Sequence, residues 1–135
     1  MTSTSSAHNK SFNQTQKAAL FPLVNSALGL MSDTFDRPML LLSLQRALLG
    51  EVHVELRQAS IEADTNSKTV RLRFEYDGSP SEQARESCSC SATEVIADFP
   101  APWQLDEQHL TVPVPAPLES LAHVAYRRAE PQHEA

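Results

Sequence analysis

The chain has 135 residues, enough for one domain around a single core and too few for two. Its 17 acidic against 11 basic side chains leave a net charge of −6 with neutral histidine; a duplex or an anionic bilayer repels such a surface, so neither nucleic acid nor membrane is an expected partner. The 2 cysteines, Cys88 and Cys90, are too close in sequence for an unstrained bridge, which excludes a disulfide framework and points to a reducing cytoplasm.

Residues 1–16 are rich in Ser, Thr, Asn and Gln and cannot bury enough apolar surface to offset the entropy of ordering, so they are expected to be disordered. The apolar stretch from Ala18 to Met31 is broken by Pro22 and Asn25 and falls short of the roughly 20 residues that span a bilayer. Preceded by a long polar segment with only Lys10 and Lys17, and followed by no small-x-small cleavage site, it also makes a poor secretory leader. Residues 1–37 therefore read as a flexible extension with at most one short helix, and residues 38–130 as the single domain.

Within that domain, Met39 to Leu49 is dense in good helix formers and Gly50 is a natural stop. Leu56 to Ala63 alternates weakly and Thr69 to Tyr76 cleanly, which predicts two antiparallel strands joined near Asp64-Thr65-Asn66-Ser67. Asp77-Gly78 ends the second strand, and Ser79-Pro80-Ser81-Glu82 supplies capping chemistry, with acidic residues in the first turn, for a second helix. Along it Ala84, Cys88, Ala92, Val95 and Phe99 form one apolar stripe, and Pro100 and Pro102 end it. Gln104 to Val112 and Leu121 to Arg128 read as two more strands separated by the Pro-rich stretch from Pro113 to Pro117, and residues 131–135 as a disordered tail. The expected fold class is α+β in the order α-β-β-α-β-β, an antiparallel four-stranded sheet with two helices on one face. Val70, Leu72, Phe74, Leu110, Val112, Val124 and Tyr126 are the expected inward residues.

No catalytic, cofactor or metal motif emerges. Cys88 and Cys90 lack the second ligand pair of a soft-metal site and diverge around a helix, so packing is the favoured reading. Gly29, Gly50 and Gly78 are isolated and build no phosphate loop. His109 and His123 become neighbours if the last two strands form a hairpin, where either can act with a carboxylate as an acid–base pair; cross-strand packing is the plainer assignment. Charge is more informative: from Glu75 to Glu107 the chain carries Glu75, Asp77, Glu82, Glu86, Glu94, Asp98, Asp106 and Glu107 against Arg85 alone. Such a face either keeps the protein soluble or serves as a landing surface for a basic protein. Arg71, Arg73, Arg127 and Arg128 form a smaller basic stripe expected on the open face of the sheet, salt-bridged to Glu75 or Glu107 or in contact with a partner.

The run Leu44-Gln45-Arg46-Ala47-Leu48-Leu49-Gly50-Glu51-Val52, the strand Arg71-Leu72-Arg73-Phe74-Glu75-Tyr76-Asp77-Gly78, the segment Ala92-Thr93-Glu94-Val95-Ile96-Ala97-Asp98-Phe99-Pro100 and the closing Val124-Ala125-Tyr126-Arg127-Arg128 resemble a group of small bacterial proteins. That group is similar to immunity proteins encoded beside polymorphic toxins of the Rhs or contact-dependent type. The resemblance covers residues 39–130, with residues 1–38 outside its pattern. It implies an antitoxin without catalytic activity, cofactor or metal, which covers a cognate, basic toxin domain 1:1 and is a monomer or weak homodimer when free. Glu82, Glu86, Glu94 and Asp98 are then the expected charged contacts and Trp103 the aromatic anchor, although Trp103 equally suits a plug at the end of the sheet. Two other classes stay open: an adaptor or structural subunit that self-associates through the arginine stripe or a sheet edge, and a small enzyme using His109 and His123.

Overall fold

The computed structural model describes residues 35–131. The readings made for residues 1–34 and 132–135, a flexible extension with a short helix and a disordered tail, lie outside the described residues. Helix α1 (Arg37–Ala47) starts where Asp36 accepts a hydrogen bond from the Met39 amide at 3.2 Å with Pro38 in the first turn, and Gly50 follows its end at a φ of +78°. Strands β1 (Leu56–Asp64) and β2 (Thr69–Tyr76) are antiparallel, and the Asp64 carboxylate closes their turn by accepting from the Asn66 amide at 3.0 Å. Helix α2 (Glu82–Ala97) is capped by the Ser81 hydroxyl, which accepts from the Ala84 amide at 3.1 Å. Strands β3 (Gln104–Thr111) and β4 (His123–Arg127) complete a four-stranded sheet in the order β3-β2-β1-β4.

The sheet is mixed, which corrects the expected all-antiparallel arrangement. The β2–β3 pair is parallel, with Val70 opposite Leu105 and Phe74 opposite His109. The reason is α2: a helix lying back along the sheet returns the chain to the end where β2 began, so the next strand enters in the same direction. Strand β3 therefore occupies one edge, β4 reaches the other edge beside β1, and the two never form a hairpin.

The helices cover one face of the sheet. Leu40, Leu44, Ala84, Cys88, Ala92 and Val95 meet Ala59, Ile61, Val70, Leu72, Phe74 and Tyr76, all of them buried. Each fully buried Leu, Ile, Val or Phe there contributes about 1.5–3 kcal/mol. The expected inward residues of β3 are out of phase: Leu105, Glu107 and His109 share the helix-facing register with Val70, Leu72 and Phe74, whereas Leu110 lies opposite Glu75 and is exposed. Val124 likewise opposes Ser60, across a register shift from the Tyr126–Ala59 pair, and so faces away from the helices.

The opposite face is not open. To travel from β3 at one edge to β4 at the other, the chain after Thr111 must cross the sheet, and it crosses the polar side. Its amides and carbonyls are received there in sequence: the Glu119 amide donates to Glu75 at 2.8 Å, the Glu119 carbonyl accepts from Arg73 at 2.6 Å, and the Leu121 and Ala122 amides donate to Ser60 at 2.9 Å and Glu62 at 3.2 Å. A proline-rich strap has few backbone donors and cannot join a sheet as a strand, so strand side chains hold it instead.

Candidate functional site

The arginines expected to line an open face are consumed by this architecture. Arg71 pairs with Glu62 at 3.2 Å and Asp106 at 3.4 Å, and Arg73 donates to Gln108 at 2.9 Å as well as to the strap. Arg127 donates to Gln58 at 2.6 Å, and Arg128 reaches Asp77 and Glu130, both at 3.0 Å. None of these ion pairs uses Glu75 or Glu107. The acidic run disperses for the same reason: Glu75 is fully buried under the strap, while Asp77 and Asp106 face arginines.

His109 and His123 stand on opposite edges of the sheet, so the acid–base pair that a hairpin would have made does not form. His109 instead stacks on Phe74 and Tyr76, with ring centroids 5.3 and 5.8 Å apart, and shares a hydrogen bond of 2.7 Å between its Nδ1 and the Tyr76 hydroxyl. Its Nε2 meets Glu107, which also accepts from the Ser89 hydroxyl. Sequence patterning missed this cluster because β3 was placed in the wrong phase. In a hydrolytic triad the nucleophile and the carboxylate hold different imidazole nitrogens. Here Ser89 and Glu107 gather at the same one, giving a chain of polar contacts that joins α2 to β3 and β2. Burial pushes the phenol of Tyr76 far above its usual range and the thiol of Cys88 up to about 11, so both stay protonated near neutral pH. Among the described residues no group of His, Cys, Asp and Glu is arranged to hold a metal ion, and no helix is long and apolar enough to cross a membrane.

The five expected contact residues fall at two ends of α2. Glu82 and Glu86 are exposed on its first two turns. Each step of four residues drifts about 40° around a helix, so Asp98 lies roughly 160° around and 24 Å along from Glu82, and the set is not one patch. Glu94 is half-buried, and Asp98, the residue capping the end of α2, accepts from the Ser43 hydroxyl of α1 at 2.6 Å. Trp103 is half-buried in an aromatic group, 5.0 Å from Phe35 and 5.2 Å from Phe99 between centroids. One exposed feature escaped the sequence reading altogether: the loop between α1 and β1 turns Leu49, Val52 and Val54 outward, at 68, 39 and 80% exposure.

Burial raises the Asp98 carboxyl to about 6, against the pull of Ser43 and Arg46. A carboxyl whose pKa is raised on folding holds its proton more tightly when folded, so stability is greatest below about pH 4 for this group and declines as pH rises through 6. Asp98→Asn, which keeps an acceptor for Ser43, is expected to raise the melting temperature at pH 7 and to leave it little changed at pH 4. Equal shifts at both pH values would refute the assignment.

Comparison with curated proteins gives no match. Residues 37–130, from the first residue of α1 to the carboxylate that Arg128 reaches beyond β4, match the family model described as MafI2 immunity protein, and the chain belongs to that family.

Proposed function

We propose that this chain neutralises one cognate toxin domain by stoichiometric occlusion: it folds beforehand, binds the toxin 1:1 in the cytoplasm, and covers the active site or substrate groove without performing chemistry. Membership of an immunity protein family, through a match that spans nearly all the described residues, carries this reading. The net charge of −6 favours a basic partner, drawn in by long-range attraction. Glu82 and Glu86, exposed on the first two turns of α2, are the charged contacts, whereas Glu94 lies farther along and around the helix, outside the contact, and so do the remaining two expected residues, Asp98 and Trp103. Because Ser43 and the Phe35–Phe99 pair hold those last two side chains, they shape the surface more than they reach out from it.

Co-expression with the toxin gene encoded beside this one tests the reading. Growth should be rescued, a 1:1 complex should co-purify, and association should slow by roughly tenfold or more as ionic strength rises. A neighbouring gene product that is harmless alone, or a lethal one that this chain neither binds nor neutralises, would count decisively against it.

A further inference from the structure

The α1–β1 loop exposes large apolar side chains although it is firmly held. The Glu51 amide donates to the Leu48 carbonyl and the Leu56 amide to the His53 carbonyl, both at 3.0 Å. His53 meets the Ser87 hydroxyl of α2 at 3.0 Å, Glu55 accepts from the Ser81 amide at 2.6 Å and its hydroxyl at 3.1 Å, and the Val54 carbonyl accepts from Arg128 at 2.8 Å. Every inward-turned position of the loop is thus tied down, and the residues between them, Leu49, Val52 and Val54, point at solvent. A flexible loop can fold such side chains away from water, but this one cannot.

The same ties set the loop against the first two turns of α2. Ser81 and Ser87 bracket Glu82 and Glu86, both exposed. The two elements therefore make one surface with an apolar centre and a rim carrying the exposed Glu82 and Glu86 against Arg85. Apolar anchors inside a polar rim are the usual anatomy of a protein interface, and a preformed anchor loses little entropy on binding. A half-interface of standard size covers about 800 Å², more than a short loop offers, so contact must extend onto α2.

We propose that this surface is where the toxin docks, with Leu49 and Val54 as apolar anchors and Glu82 and Glu86 as the charged rim, fitting an apolar depression edged by lysine or arginine on a basic toxin domain. The proposal rests on the immunity reading and gives it an address: the contact centres on the start of α2 and the loop beside it, away from Asp98 and Trp103.

Binding of the full chain to a catalytically inactivated form of the toxin domain encoded beside this gene provides the test, by calorimetry or surface capture, with light scattering on the free chain. Leu49→Ser/Val54→Ser should weaken binding by about 30-fold or more. Glu82→Lys/Glu86→Lys should slow association by roughly tenfold and reduce its dependence on salt. Glu94→Lys should stay within about threefold of the parent. All these side chains reach the surface, so unchanged melting curves will show that each variant is folded. No binding by the parent chain would overturn the immunity reading itself. Parental binding that survives both double substitutions would overturn only the docking surface. So would a homodimer that Leu49→Ser/Val54→Ser dissolves while toxin capture is untouched, since the patch would then belong to a second copy of this chain.

Discussion

Replacing Arg57 by alanine is expected to cost about 3–5 kcal/mol of folding stability, a large share of the roughly 5–15 kcal/mol typical of a domain. The side chain is only 5% exposed and uses its whole guanidinium. Nε and Nη2 grip the two oxygens of Glu130 at 2.6 and 2.8 Å, while Nη1 donates to the carbonyls of Val112 at 2.6 Å and Ala116 at 2.9 Å. One residue at the start of β1 thereby fastens both the beginning of the strap and the segment after β4. Alanine would leave two strap carbonyls without this donor and Glu130 with Arg128 alone. Lysine should recover little of the loss, because a single ammonium cannot reproduce a planar fork that serves a carboxylate and two carbonyls at once. Urea unfolding measures the effect, and a loss below about 1 kcal/mol would refute it.

The same clamp predicts how the protein fails in acid. Arg57 first, and then Arg128, hold the Glu130 carboxyl down at about 2, from an ordinary value of 4.5. A pKa lowered on folding gives stability that is complete above the unfolded value and drains away as pH falls from about 4.5 toward 2. Parent and Glu130→Gln should therefore converge in stability at the bottom of that window and diverge above it. The Asp98 effect runs the other way in an adjoining window, so substitution distinguishes the two groups.

How far the sequence spoke follows from what periodicity encodes. The elements of the domain were legible because apolar spacing, the Ser81 cap, the Asp64 turn and Gly50 are local signals, and the stripe Ala84, Cys88, Ala92, Val95 and Phe99 is indeed buried. Strand direction was not legible, since alternation reads the same in parallel and antiparallel strands. Strand β3 misled further because its two leucines, Leu105 and Leu110, lie on opposite faces, and the Leu110-x-Val112 ending suggested the wrong one. Arg57 escaped because the register shift between Leu56 and Gln58 removes it from simple alternation and its partners lie 55 to 73 residues away. The exposure of Glu82 and Glu86 followed from helical geometry alone. The engagement of Asp98 required knowing that Ser43 would lie beside it. Leu49 and Val54 were overlooked for the converse reason: apolar residues are ordinarily assigned to the interior, and only the loop's ties show that these two cannot reach it.

Glu75→Gln, a change of one atom, is expected to cost about 2–3 kcal/mol. Glu75 is completely buried beneath the strap, and each of its oxygens accepts one bond: Oε1 from Gln58 Nε2 at 2.9 Å and Oε2 from the Glu119 amide at 2.8 Å. Both neighbours present N–H groups, and the Gln58 amide cannot reverse, because its own oxygen accepts from Arg127 at 2.6 Å. Glutamine offers one acceptor oxygen and one donor nitrogen, so in either orientation an N–H is driven against an N–H at a fully buried position. The bonds Arg127 to Gln58 to Glu75 to Glu119 form a rung from β4 across β1 and β2 into the strap, and its members should behave as a unit. Gln58→Leu and Glu75→Leu should each be costly, yet the double substitution should cost less than their sum by at least about 0.5 kcal/mol, because the second change removes a donor that the first had stranded. Strict additivity in that cycle would mean the strap is fastened elsewhere, and the burden of holding it would fall back on Arg57.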